Sequence, residues 1–236
     1  MEPQGWIQTA DLCRYFRRGK SEVRALDGVT LQLPRGEFVG IVGSSGSGKS
    51  TLLAIMAGLD TPTSGTVEIE GRTLSSMSRR ELAAYRAHKV GMIFQSFNLI
   101  AHYTALQNVE TALFFNGVPH RDRRRLATAV LEKLGLGDRL THRPADMSGG
   151  EQQRVAVARA VVKKPEILFA DEPTGNLDHD NADQIAGLLT ELNQSGLTII
   201  MVTHNLEMAR AHAHRIIRMN YGRLVDSPPE SGRDLP

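Results

Sequence analysis

Three short apolar runs punctuate the chain, and each stops at polar or small residues with chemical potential. Phe38-Val39-Gly40-Ile41-Val42 runs into Gly43, Ile167-Leu168-Phe169-Ala170 into Asp171, and Thr198-Ile199-Ile200-Met201-Val202 into Thr203 and His204. Runs this long without polar alternation predict strands covered on both faces, as in a parallel sheet. Between them the pattern changes to helical spacing. Residues 50–57 are stopped by Gly58, the amphipathic stretch 121–134 by Gly135, residues 151–164 by Pro165, and residues 181–193 near Gly196. Strands alternating with helices predict an α/β fold with a mostly parallel sheet. The polar strand ends mark the edge at which such sheets bind ligands.

Two other patterns interrupt this alternation. Residues 6–33 and 66–71 read as short antiparallel strands, and residues 216–225, broken at Asn220-Tyr221-Gly222, as a hairpin. From about Gln95 to Met147 strong strand patterns are lacking, which predicts a helical insertion over about 95–150. The expected organisation is one folded unit over 1–226 with a mobile Pro/Ser/Gly-rich tail at 227–236 and no internal repeat.

Composition narrows the class. The 236 residues suffice for one large domain, and 41% hydrophobic with 23% charged residues excludes disordered and collagen-like chains. A net charge of +2 gives no ground for a nucleic-acid partner. Cys13 is the one cysteine, so no intrachain disulfide forms. The first residues lack the basic and apolar segments of a signal peptide. The longest apolar stretches, such as 197–202, are too short to span a bilayer. Any membrane role is therefore expected from the water side, through a partner.

The strongest motif is Gly43-Ser44-Ser45-Gly46-Ser47-Gly48-Lys49-Ser50, followed by Thr51, which fits G-x-x-x-x-G-K-[ST] between a predicted strand and a predicted helix. Small residues let backbone N–H groups close around phosphate oxygens, and the helix start adds its free donors and positive dipole end. Lys49 is expected to reach the β- and γ-phosphates and Ser50 to ligand Mg²⁺. Asp171 at the next strand end is placed to hold the same Mg²⁺, and Glu172 to polarise an attacking water. The fold expectation sharpens to a P-loop NTPase core with an antiparallel β subdomain and the helical insertion.

Met147-Ser148-Gly149-Gly150-Glu151-Gln152-Gln153-Arg154 carries a second helix start, with Ser148 and Glu151 at capping-box spacing. This segment resembles the signature motif of ABC ATPases. The resemblance covers about residues 6–226 and implies ATP and Mg²⁺ as ligands and a head-to-tail dimer in which Ser148, Gly149 and Gly150 close on ATP held by the other copy's Lys49 cradle. It also implies roles for Gln95 (metal, attacking water and transmembrane partner), for the 176–178 segment across the dimer, for His204 at the γ-phosphate, and for Phe16, or neighbouring Tyr15, stacked on adenine. Glu151 departs from the usual glutamine. Capping geometry is expected to turn its carboxylate back onto the Ser148 N–H.

Residues 170–178 and 94–99 are most similar to the lipoprotein-releasing and macrolide-export branch. That branch implies an exporter subunit, cytoplasmic and peripheral on the inner face of the membrane, working on an integral-membrane permease and through it on a periplasmic or outer adaptor. An importer subunit and a non-transport ABC ATPase are the alternatives. Phe97, Leu99 and Tyr103 either line the groove for the permease or pack in the core. The arginine cluster at 121 and 123–125 is read as a solvated helix face, and Trp6 as edge packing. The histidines at 102, 120, 142, 179, 212 and 214 share no metal spacing with cysteines, so no zinc site is proposed.

Overall fold

A computed structural model describes residues 5–19 and 21–225. In chain order the elements are β1 (Ile7–Arg18), β2 (Ser21–Leu33), β3 (Phe38–Val42), α1 (Lys49–Met56), β4 (Ser64–Ile69), β5 (Arg72–Thr73), α2 (Arg79–His88), β6 (Val90–Phe94), α3 (Ala105–Phe115), α4 (His120–Lys133), α5 (Gly149–Val161), β7 (Ile167–Asp171), α6 (His179–Gln194), β8 (Thr198–Thr203), α7 (Leu206–His212), β9 (Arg215–Asn220) and β10 (Arg223–Val225). Two sheets result. A six-stranded sheet has the order β10-β9-β3-β8-β7-β6, and a four-stranded one β2-β1-β4-β5. Every pairing in the larger sheet is parallel except β9 with β10, and the smaller sheet is antiparallel throughout.

The unalternating apolar runs are explained by two cores. Phe38, Leu168, Ala170, Ile199 and Met201 face a core shared with α3 to α7. Their strand neighbours Val39, Ile41, Ile167, Phe169, Ile200 and Val202 face a second core, shared with α1 and the antiparallel sheet. Side chains alternate as in any strand, but both faces are dry, so the sequence shows no polar partner. Burying both faces is the main source of stability here, at roughly 1.5–3 kcal/mol per large side chain.

Several expectations are corrected. Strands β1 and β2 are long, not short. Their register slips between Thr9 and Tyr15, and Asp11 sits at φ 45°, so bulges hide the period-two pattern. Strand β6 escaped the pattern reading because Gly91 dilutes the run. A Cβ there would meet Leu168 Cδ1 at 2.8 Å and the Ala160 carbonyl at 2.9 Å, so the glycine is the close approach of α5 to the sheet. Helix α5 begins at Gly149 and stops at Val161, short of Lys164, which is left-handed at φ 52°. The hairpin forms as expected, but β9 also joins the parallel sheet beside β3. Trp6 packs on the second core and donates from Nε1 to Glu70. The proposed mobile tail lies outside the described residues.

Candidate functional site

Parallel strands place their carboxyl ends on one edge, and four of the chemistry-bearing segments follow such ends. β3 feeds the glycine-rich loop, β6 feeds Gln95, β7 ends on Asp171 and β8 on Thr203. Register aligns them: Phe94 pairs with Asp171, Asp171 with Val202, and Val42 with Thr203.

The loop from Gly43 to Lys49 folds into an open cradle. Ser47 donates its N–H to the Ser44 carbonyl at 3.2 Å and is buried, while Ser44, Ser45 and Gly46 form an exposed rim. Gly48 sits at φ 99°, and a Cβ there would meet the Ala25 carbonyl at 2.2 Å, so no other residue type fits without distortion. Its left-handed turn starts α1 without a side-chain cap and without an acidic residue in the first turn. The first N–H groups of α1, including those of Ser50 and Thr51, have no intrahelical acceptor. Lys49 is 6% exposed, and its ammonium donates to the Gly43 and Ser44 carbonyls at 2.8 and 2.9 Å. A nearly buried cation folded onto neutral carbonyls, among free N–H donors, fits an anion by its chemistry.

On the adjoining strand ends, Ser50 Oγ donates to Asp171 Oδ1 at 2.8 Å. Burial pushes the Asp171 carboxyl above its ordinary range; the Ser50 hydrogen bond and Lys49 oppose this, and the neighbouring Glu172 reinforces it. Two hard oxygen donors beside a phosphate cradle fit Mg²⁺, which takes few protein ligands and completes its shell with phosphate and water oxygens. Glu172 is held in the left-handed region at φ 48°, with its N–H donated to the Val202 carbonyl at 2.9 Å. Such strain in a non-glycine residue clusters at functional sites. Its carboxylate accepts from His204 Nδ1 at 3.0 Å and from the His204 N–H at 3.3 Å. The Glu172 side chain is 15% exposed and the His204 ring 66%, so the pair has one sheltered and one accessible end.

The remaining motif residues lie further along. Gln95 Nε2 donates to Asn176 Oδ1 at 3.4 Å, and Asn176 Nδ2 returns a bond to the Gln95 carbonyl at 3.0 Å. Asp178 is the N-cap of α6 and accepts from the Asn181 N–H at 2.9 Å. Ser148 caps α5: its Oγ accepts from the Glu151 N–H at 3.2 Å, and Glu151 Oε2 accepts from the Ser148 N–H at 2.8 Å. The carboxylate thus turns back as expected. Gly150 is set by crowding, because a Cβ there would meet Asn181 Oδ1 at 1.9 Å, whereas a Cβ on Gly149 would make only ordinary contact with Leu177 at 3.5 Å. Within one chain the cradle, Asp171, Glu172 and His204 form a connected cluster, whereas no hydrogen bond joins Ser148–Gly150 to it among the described residues. Phe16 is 40% exposed with the Arg14 guanidinium 4.5 Å above its ring, while Tyr15 is tied by its hydroxyl to Asp27 at 2.7 Å.

Three comparisons bear on this geometry. Residues 26–175 match the family described as ABC transporter. The chain belongs to the ABC transporter ATP-binding family. It is 48% identical over 219 residues to the macrolide export ATP-binding/permease protein MacB of Hyphomonas neptunium, across 93% of the chain but 34% of that relative. The chain therefore spans about a third of the length of this ABC relative. It is also 49% identical over 227 residues to the uncharacterized ABC transporter ATP-binding protein YbbA of Escherichia coli strain K12, across 96% and 99% of the two chains. A dimeric post-hydrolysis structure of the ATP-binding cassette MJ0796, bound to ADP and Pi, superposes with a TM-score of 0.89 at 38% identity, covering 96% of this chain and all of that one. These likenesses place the chain among ABC ATPases, in the branch that holds the macrolide-export proteins.

One feature of this ABC fold went unread in the sequence. A groove of about 550 Å³ opens between α2, α3 and α5, with Leu59, Met92, Phe94 and Phe115 on its apolar walls and Arg86 and Lys163 on its polar side; no carboxylate lines it. Burial pushes the Lys163 amine down to about 8. Phe97, Leu99 and Tyr103 do not line this groove. The Phe97 ring lies toward Gly149, at 3.9 Å from a Cβ built there, and Leu99 packs on the helical core. The exposed pair Phe114-Phe115 was the available signal, at 57% and 69%. Of the arginine cluster, Arg123 turns inward to Phe114 and the Val118 carbonyl. A somewhat larger cavity, about 590 Å³ by Trp6, Leu74 and Tyr85, contains no cradle residue. Among the described residues no helix is long and apolar enough to cross a membrane.

Proposed function

We propose that this ABC ATPase drives an exporter: two copies close on two ATP molecules, and closure and release move a separate integral-membrane permease. The carrying observation is the convergence of the Lys49 cradle, the Ser50–Asp171 pair and the Glu172–His204 pair on one sheet edge. Together they supply a phosphate site, a metal site and a base. Mg²⁺ held by Ser50 and Asp171, with Gln95 nearby, would supply charge neutralisation at the β- and γ-phosphates. The first-turn N–H groups of α1 and Lys49 hold the triphosphate. Glu172 accepts a proton from water as the water oxygen attacks the γ-phosphorus. The bond to the β-phosphate oxygen breaks, leaving ADP and phosphate. His204, accessible on one side, orients Glu172 and reaches the γ-phosphate. Phe16 offers adenine the ring face opposite Arg14, and it is favoured over Tyr15 because Phe16 is exposed while Tyr15 is half-buried.

The dimer reading is supported by Ser148–Gly150 lying outside the cluster made by their own chain, and by the dimeric form of the MJ0796 cassette. The permease reading is supported by the acid-free groove and by the likeness to MacB, an ATP-binding/permease protein. A cytoplasmic segment with apolar residues and a carboxylate would match that groove. The chain would then sit peripherally on the inner membrane face, with any periplasmic or outer adaptor reached through the permease.

The deciding experiment is Glu172→Gln. The variant is expected to bind ATP, to hydrolyse it at least about a hundredfold more slowly, and to accumulate as an ATP-bound dimer in light scattering. Hydrolysis at the parent rate would remove Glu172 as the base.

A further inference from the structure

The head of α5 carries more negative charge than an anion site should. Ser148 spends its side chain on the capping box, so the donors left for an outside ligand are the backbone N–H groups of Gly149 and Gly150 and the Ser148 hydroxyl proton. Beside them stands the Glu151 carboxylate, in the first turn, where an incoming phosphate would meet like charge. One carboxylate oxygen is occupied by the Ser148 N–H at 2.8 Å. The other accepts from Arg139 Nε at 2.7 Å. Arg139 arrives from the short turn Gly137–Arg139 behind α4, and its side chain is 43% exposed, while the Glu151 side chain is 19% exposed. No other basic side chain contacts this carboxylate among the described residues. The pair is therefore an electrically compensated unit built from two parts of the helical region, rather than an incidental surface contact.

We infer that Arg139 is a positioning residue for the second phosphate site: by neutralising and holding Glu151, it lets Ser148–Gly150 accept the triphosphate bound by a second copy of this chain. The inference rests on the dimer reading above. Arg139 touches no nucleotide in this scheme. It removes a like-charge penalty and fixes the carboxylate away from the donors.

The test uses the full chain carrying Glu172→Gln, in which ATP-driven dimers persist, and reads the ATP concentration at half-dimerisation by light scattering. Arg139→Gln keeps the side chain's polarity and removes its charge. It is expected to raise that concentration about tenfold, the order expected for an uncompensated charge at an interface. Arg139→Lys should stay within about threefold of the parent. Adding Glu151→Gln to Arg139→Gln should bring the value back to within about twofold, because the charge in need of compensation is gone. An Arg139→Gln variant that dimerises like its parent overturns the inference. So does a double variant as impaired as Arg139→Gln alone, which would mark Arg139 as a fold support. If the Glu172→Gln parent never dimerises with ATP, the dimer reading itself fails, and the role of Arg139 fails with it. Nucleotide binding by the monomer, measured in parallel, should be the same for all four proteins.

Discussion

Helices α1 and α5 both begin at glycine-rich segments, yet their first turns are built in opposite ways. α1 starts from a left-handed Gly48 with no side-chain cap and no acid in its first turn, and Lys49 lies against it. α5 starts from Ser148, whose side chain and Glu151 satisfy each other's N–H groups in a closed capping box. The first start is left unfinished and positive, which suits it to the proposed primary phosphate site. The second is already capped and locally neutral, which suits it to the proposed role of adding donors to a phosphate held elsewhere. A capping box contributes about 1 kcal/mol to the helix, and the chain keeps that contribution at α5 while forgoing it at α1. The difference teaches that the same dipole physics can leave one helix start open to an outside anion and satisfy the other largely within the chain.

That contrast is open to attack in order of expected effect. Lys49→Ala should break the primary site: nucleotide affinity of the single chain should fall roughly a hundredfold, as for loss of a buried charge-assisted contact, measured by titration with a fluorescent nucleotide. If affinity holds, α1 is no more a phosphate site than α5. Ser148→Ala should sharpen the contrast. Monomer affinity should stay within about twofold, hydrolysis should drop on the order of tenfold, and the lost cap should lower Tm by about 2–4 °C. Equal losses of affinity and hydrolysis would mean that both helix starts act within one chain.

The smallest effect is a pH dependence. Arg139 first, then the Ser148 N–H, hold the Glu151 carboxyl at about 2, below its ordinary 4.5. The folded value is depressed, so this stabilisation is complete above pH 4.5 and is lost as pH falls toward 2. Arg139→Gln should therefore lower Tm at pH 6 by about 1–3 °C and narrow that deficit as the buffer approaches pH 3. A deficit independent of pH would show that the pair's charge contributes nothing.

Much of this is legible in the order of the amino acids. The three buried strands, the cradle at residues 43–50 and the acid pair after β7 are local: each is written in a few consecutive residues, and steric and hydrogen-bonding rules read them directly. The capping box is likewise local, a relation between residues three apart, and Glu151 turns back as that spacing requires. Strand β6 and the full lengths of β1 and β2 were not legible, because Gly91 and the slips between Thr9 and Tyr15 answer to neighbouring elements rather than to a period. The groove also escaped, since Leu59, Phe94, Phe115 and Lys163 come from four separate segments.

By itself the sequence determined which strand or helix end presents each candidate residue, because backbone donors, small residues and caps act over one turn. Only the tertiary structure decided that Glu172 pairs with His204, that Asn176 ties to Gln95, and that Arg139 is the cation that compensates Glu151. Those pairings depend on strand order and on where α4 ends, and electrostatic partners are chosen by distance in space, which the order of residues along the chain does not encode.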